Sequence, residues 1–203
     1  MSVPVYTIGY SGFPSIGELL SFLKEKSVDG LIDVRSVPFS KTFPAYNQES
    51  LKAVCRQHEV YYRHYKKEFG ARRTGPTYYT DGYVDFERVT EDPDFKAGIE
   101  RVKESAEKGY RLCLLCAEKD PIICHRSILI GRNLMDAGIN VIHLHADRTE
   151  ETQQELQTRL LNTFFPKREQ TTLWDEQMTE GDYVREAYRM QNARIGYQSP
   201  NEP

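Results

Sequence analysis

Leu112-Cys113-Leu114-Leu115, continued by Cys116-Ala117-Glu118-Lys119-Asp120-Pro121-Ile122-Ile123-Cys124-His125-Arg126, joins an apolar run to an amphipathic run that ends near Ala137-Gly138. The first reads as a buried strand and the second as a helix. Two thiols, a carboxylate, an imidazole and a guanidinium therefore surround one strand-to-helix junction. In an α/β protein such a junction holds ligands, because the start of a helix presents free N–H groups and the positive end of its dipole. Asp120-Pro121 fits an N-cap followed by proline at the first helical position, with a cap nearer Cys124 as the other option. Gly138 supplies the stop.

Working outward, Val3 to Ile8 is a short β-rich run that ends at the turn cluster Gly9-Tyr10-Ser11-Gly12. Pro14 to Lys26 predicts a helix with Ile16, Leu19, Leu20 and Leu23 on one face, closed by Gly30. Leu31 to Val34 is a second strand leading into Arg35, and Ser36 to Asn47 an ordered loop. Gln48 to Gln57 suits a short helix and Val60 to Tyr65 a third strand. Lys66 to Gly82 has no clean period, and so long an irregular segment inside a domain is more often functional than idle. Asp94 to Lys108 returns to helix and stops at Gly109, before Tyr110 to Cys116, the most apolar strand. Ile139 to Leu144 is a final strand, Glu150 to Leu161 a polar helix, and Pro166 to Pro203 charged and weakly apolar.

Strands alternating with helices imply an α/β fold with a largely parallel sheet covered on both faces. The expected organisation is an α/β domain over 1–149 and a helical or extended tail over 150–203 that packs on it and frays at its end. Ligands of such sheets bind at the carboxyl ends of the strands. Those ends carry Gly9-Tyr10-Ser11, Asp33-Val34-Arg35, Cys116-Ala117-Glu118 and His143-Leu144-His145, so residues capable of chemistry follow four separate strands.

With 203 residues, 39% of them hydrophobic, the chain can form a full domain with a real core. Its charge is uneven: between Arg35 and Arg73 nine Lys/Arg stand against three Glu. A basic stretch in an otherwise acidic chain suits a local anionic ligand, or an ordinary solvated face. Four cysteines, unevenly spaced, are not a secreted disulfide framework. Neither a leader pattern nor an apolar run of membrane-spanning length occurs, so a soluble cytoplasmic protein with reduced thiols is expected and no membrane partner.

Cys124 near a helix start, beside a cation, reads either as a nucleophile or redox thiol or as a buried inert cysteine. Cys113, inside the apolar strand, reads as inert. Arg126 and Arg35 suit bidentate capture of phosphate or carboxylate, or else salt bridges to Asp33, Glu118 or Asp120. His125 suits acid–base chemistry or capping of backbone carbonyls. Cys116, Cys124 and His125, with His145 as an optional fourth, have the chemistry of metal ligands, but seven residues between the cysteines match no zinc-knuckle spacing, and no metal is expected. Gly-x-Gly-x-x-Gly and Gly-x-Ser-x-Gly are both missing, which removes dinucleotide and hydrolase assignments. Tyr46, Tyr61, Tyr62, Tyr65, Tyr78, Tyr79 and Tyr83 interleave with Arg56, Arg63, Arg72 and Arg73, a mixture that suits nucleic acid or a half-buried loop.

At these residues the chain resembles the DUF488 family, from about Val5 to His145. The resemblance is carried by Thr7-Ile8-Gly9-Tyr10-Ser11, by Leu31-Ile32-Asp33-Val34-Arg35-Ser36-Val37-Pro38 and by Phe69-Gly70-Ala71-Arg72-Arg73. Gly82-Tyr83-Val84-Asp85-Phe86 and the segment from Leu115 to Arg126 complete it. Ala71 stands where the pattern has a second glycine. The resemblance implies a compact Rossmann-like α/β domain with no established activity and no cofactor. Its recurrent motifs fall on Gly9, Asp33, Arg35, Arg72, Glu118, Cys124, His125 and Arg126.

Together these readings predict a small enzyme with an anionic substrate, nucleotide-like or nucleic acid. Cys124, His125 and Glu118 would do the chemistry. Arg126, Arg35, Asp33, Gly9, Tyr10, Ser11, Arg72 and Arg73 would bind the anion. A non-catalytic nucleic-acid or nucleotide-binding module and a Cys/His metal or redox site are the alternatives.

Overall fold

A computed structural model describes residues 2–168 and 178–198. Val5–Gly9 forms β1, Ile16–Glu25 α1, Gly30–Asp33 β2, Gln48–Gln57 α2 and Tyr61–His64 β3. A short helix α3 (Lys66–Phe69) and a hairpin of β4 (Tyr79–Thr80) and β5 (Tyr83–Val84) follow. Next come α4 (Phe86–Thr90), α5 (Pro93–Glu107) and β6 (Leu112–Cys116). The chain continues through α6 (Arg132–Asp136), β7 (Val141–Leu144), β8 (Glu150–Thr152), α7 (Gln153–Phe164) and α8 (Glu180–Ile195).

The main sheet has the order β3-β2-β6-β1-β7-β8, parallel throughout except for β8, which runs antiparallel to β7. Side chains alternate across it as a period of two requires. Ile8, Leu31, Cys113 and Leu115 face α1 and α2, whose Leu19, Leu20, Leu23 and Leu51 cover them. Val5, Ile32, Leu114, Cys116 and Val141 face the other way, under Val102, Leu156 and Tyr188. This is the Rossmann-like sheet with helices on both faces that the alternating pattern predicts.

Several local expectations need correction. Helix α1 starts at Ile16, because the Ser15 hydroxyl accepts from the Glu18 N–H as its N-cap, and it ends at Glu25. The chain turns through Ser27 at φ 53°, and Gly30 opens β2 rather than closing α1. Within 66–82, Asp81 and Gly82 both have positive φ and turn the β4–β5 hairpin, an Asp-Gly signal the irregular reading missed. Residues 150–152 are an edge strand and not helix; α7 begins at Gln153 behind a capping box in which Thr152 and Glu155 satisfy each other's backbone N–H.

The segment after Thr149 takes part in the fold. β8 extends the sheet, and Ala187 and Tyr188 of α8 are buried in one of its cores. The Asn192 carboxamide accepts from Phe86 N–H and donates to the Val84 carbonyl. The frayed end expected for the tail lies outside the described residues. Among the described residues no helix is long and apolar enough to cross a membrane.

Candidate functional site

The carboxyl ends of β1, β2 and β6 lie side by side, with Gly9 opposite Cys116 and Asp33 opposite Leu115. A cleft of about 320 Å³ opens over them, lined among others by Tyr10, Arg35, Arg72, Glu118, Ile123 and Tyr197, with Cys116, Cys124 and His125 at its floor. That volume suits a small molecule.

Beyond β6 the chain departs from a regular helix. Asp120 caps a single 3-10 turn, Pro121–Ile123, and Cys124 is extended at φ −132°, ψ 138°. The Cys124 carbonyl then accepts from the N–H groups of Ser127 and Ile128, so the helix start falls at Cys124, the second of the two cap positions. Arg126–Gly131 is wound as a π-helix before α6 continues it. The Ser127 hydroxyl, hydrogen-bonded to the Pro121 and Cys124 carbonyls, ties turn to helix. Such a widened turn is common where function places side chains.

Four reactive side chains meet there. Glu118 Oε2 lies 2.9 Å from Cys116 Sγ and 3.0 Å from Cys124 Sγ. His125 Nδ1 is 3.8 Å and 3.9 Å from the same two sulfurs. Its Nε2 is 3.0 Å from the Val34 carbonyl, which can only accept, so Nε2 carries the proton and Nδ1 faces the sulfurs with its lone pair in the neutral ring. Three acids and an imidazole at one point cannot all ionise independently. Burial works against the Cys124 thiolate, but the Cys116 S–H, the Arg126 charge and His125 outweigh it and hold that thiol well below its usual range. Cys116 is pushed up by its hydrogen bond to Cys124 and by burial. Burial and the nearby Cys124 raise Glu118. For His125 burial disfavours the charge, yet its contacts with Cys124 and Glu118 raise it.

The wall above is basic and aromatic. Arg35 forms a bidentate pair with Asp33 at 2.8 and 2.5 Å and donates to the Tyr46 carbonyl at 2.8 Å. It lies 5.2 Å from the centre of the Tyr10 ring, which stacks on Tyr46 at 4.4 Å. Its remaining nitrogen, Nη1, is buried and has no hydrogen-bond partner among the described residues. Tyr62 also donates to Asp33, which fixes the carboxylate beneath. Arg72 is exposed; its backbone N–H is held by Ser36 and its guanidinium sits 4.7 Å over Tyr197.

Other expected binders stand elsewhere. Arg126 is 0% exposed and spends its guanidinium on the carbonyls of Glu118 (2.7 Å) and Lys119 (3.2 Å) and on Thr7 Oγ1 (3.4 Å). It braces the loop beneath the cleft and has no face for an anion. Arg73 is buried against the Lys67 and Glu68 carbonyls and Asp92, again away from solvent. Ser11 is exposed outside the cleft lining, its N–H bonded to the Ala117 carbonyl. Gly9 acts by absence: a Cβ there would lie 1.8 Å from the Glu118 carbonyl oxygen. The tyrosine set is dispersed, with Tyr46 and Tyr62 tied into the fold and Tyr78 and Tyr79 donating to Asp92 and Arg73.

Sequence reasoning missed three contributors. Ile195 and Tyr197, from the tail, line the cleft, and Gln191 of α8 donates to the Ile122 carbonyl at 2.7 Å. No motif marks them. Beneath the floor runs a directional polar chain, its proton order set by the donors at each end: Arg126 Nε to Thr7, Thr7 to His143 Nδ1 (2.8 Å), and His143 Nε2 to Gln153 Oε1 (3.0 Å). Gln153 Nε2 then donates to Tyr188 and the Ser127 carbonyl. His143 is therefore part of the support and not of the cleft, and His145 pairs with Glu151 outside it.

No curated protein and no solved structure matches the chain. The family model described as domain of unknown function DUF488 matches residues 15–132. That span excludes Thr7–Ser11, which the resemblance included, and stops within the helix after the site. It still covers more than half of the chain, which therefore belongs to the DUF488 family.

Proposed function

We propose that the cleft is the active site of an enzyme whose substrate is a small anionic molecule of nucleotide type. The observation that carries this reading is the meeting of Cys116, Cys124, His125 and Glu118 at the floor of a cleft whose wall holds Arg35 and Arg72. Arg72 and the free Nη1 of Arg35 engage the anion, Tyr10 and Tyr197 flank it, and Cys124, His125 and Glu118 face the reacting end. Asp33 positions Arg35; Arg126 positions the Glu118 backbone. The compact cleft and the burial of Arg73 favour a small ligand over a strand of nucleic acid.

Calorimetric titration with a nucleoside monophosphate at low ionic strength tests this. Binding is expected, weakened about tenfold or more by Arg72→Ala, since a hydrogen bond to a charged group contributes about 1.5–3 kcal/mol. Cys124→Ser is expected to leave that binding within a few-fold. No binding of the nucleotide at low salt, or binding indifferent to Arg72, contradicts the proposal. Tighter, cooperative binding of single-stranded oligonucleotide instead would move it to a nucleic-acid module.

A further inference from the structure

The geometry points to a site for a divalent transition ion of the zinc class at the cleft floor, with Cys116 Sγ, Cys124 Sγ and His125 Nδ1 as ligands and Glu118 beside a fourth position left open toward the cleft. This rests on the reading of that floor as the reactive centre, and it names the cofactor the floor is built to hold.

The three ligand atoms all lie within 4.8 Å of one another, with Nδ1 at 3.8 and 3.9 Å from the sulfurs. A tetrahedral ion bound at about 2.3 Å to sulfur and about 2.0–2.1 Å to nitrogen spaces such atoms roughly 3.5–3.8 Å apart. The two sulfur–nitrogen distances are therefore within a few tenths of an ångström of a working set. Glu118 Oε2, 2.9 and 3.0 Å from the two sulfurs, brings a carboxylate against the group. Seven residues separate the cysteines, which argues against a knuckle. Here, however, one ligand ends a strand and the others start a helix, so their separation in sequence does not set their separation in space.

Two further observations point the same way. The Val34 carbonyl accepts a hydrogen bond from Nε2–H of His125 and fixes the ring with Nδ1 bare toward the sulfurs, as a ligating histidine is held by its outer partner. Arg126, fully buried, forms no ion pair among the described residues; its partners are two carbonyls and a hydroxyl. An isolated buried cation is expensive. One guanidinium and one divalent ion together neutralise two thiolates and one carboxylate, so the bound site has no net charge. Binding forms two metal–sulfur bonds and releases to solvent the protons the two sulfurs still carry, with no change of oxidation state.

The test is elemental analysis of untagged protein purified without chelator, followed by stripping and titration with Co²⁺. Stoichiometric metal is expected. The cobalt protein should show thiolate-to-metal charge transfer and visible bands of tetrahedral intensity, both lost in Cys116→Ser and Cys124→Ser and retained in Cys113→Ala. Because a serine variant can simply fail to fold, alkylation of the unaltered protein is read in parallel. Cys116 and Cys124 should be shielded by metal and exposed by chelator, with Cys55 and Cys113 silent in both states. Wild-type protein that takes up no metal after loading, a cobalt spectrum unchanged by loss of either cysteine, or alkylation indifferent to chelator overturns the assignment. Nucleotide titration of loaded and stripped protein separates the two readings. Metal without nucleotide binding sinks only the substrate, and nucleotide binding without metal uptake sinks only the ion.

Discussion

Gly9→Ala is the substitution that most directly probes how the cleft is built. A Cβ at that position would lie 1.8 Å from the Glu118 carbonyl oxygen, 2.7 Å from its carbon and 3.1 Å from Arg126 Nη2. Real Cβ contacts essentially never fall below 3.0 Å, so the end of β1 and the loop after β6 must part by more than an ångström. That movement breaks the 2.7 Å bond from Arg126 to the Glu118 carbonyl and disturbs the pairing of Gly9 with Cys116. Overpacking costs about 1–3 kcal/mol, and a lost hydrogen bond to a charged group about 1.5–3 kcal/mol. A destabilisation of roughly 3–5 kcal/mol follows, a large part of the stability of an ordinary domain. Urea unfolding followed by circular dichroism measures it. Gly17→Ala is the paired control, because in α1 its Cβ would meet only Ser15 Oγ at 3.7 Å. Replacing a helical glycine should be neutral or stabilise by about 0.5–1 kcal/mol. If Gly9→Ala unfolds at the same urea concentration as Gly17→Ala, the close approach of strand and loop described above is wrong.

Two further changes test the support beneath the floor. Arg126→Met leaves the Glu118 and Lys119 carbonyls without their donor and should cost about 2–5 kcal/mol in urea unfolding, with Arg126→Lys intermediate; stability equal to the unaltered protein would restore Arg126 as a candidate ligand-binding group. His143 is held neutral, its pKa pushed down to about 3 by burial and by the Arg126 charge. The unfolded chain takes up that proton near pH 6.5. The contribution of His143 is complete above that value and is lost as pH falls toward 3, by about 1.4 kcal/mol per pH unit. His143→Gln should therefore flatten the acid side of the stability–pH curve by about 2 kcal/mol at about pH 5; an unchanged slope would show that His143 does not set it.

Much of this architecture is legible without coordinates. Gln48–Gln57 is helical within the bounds its pattern predicts, and Leu112–Cys116 is a central strand because an unbroken apolar run is buried on both faces. The gathering of Gly9, Asp33, Arg35, Cys116 and Glu118 follows from strand ends alone, since parallel strands deliver them to one edge. What escapes is decided by tertiary partners. Arg126 and Arg73 look like anion binders in sequence, yet carbonyls in their own loops consume their donors. The π-helix cannot be read from period, because Gln153, from the segment after β8, packs where a side chain at Gly131 would stand. Two signals were present and passed over: Asp81-Gly82 for the hairpin, and Thr152-x-x-Glu155 for the true start of α7. Tyr197 reaches the cleft from the far end of the chain, and no local pattern announces such a residue.

Cys116 and Cys124 share the floor of the cleft proposed to take the nucleotide, while Cys55 and Cys113 lie sealed in the core. Time-resolved alkylation of metal-stripped native protein, mapped by mass spectrometry with and without a saturating nucleoside monophosphate, measures this directly. Cys116 and Cys124 should react first and be slowed together by the nucleotide, with Cys55 and Cys113 reacting only on unfolding. Reaction of all four at one rate, or nucleotide protection that leaves Cys116 and Cys124 untouched, would contradict it.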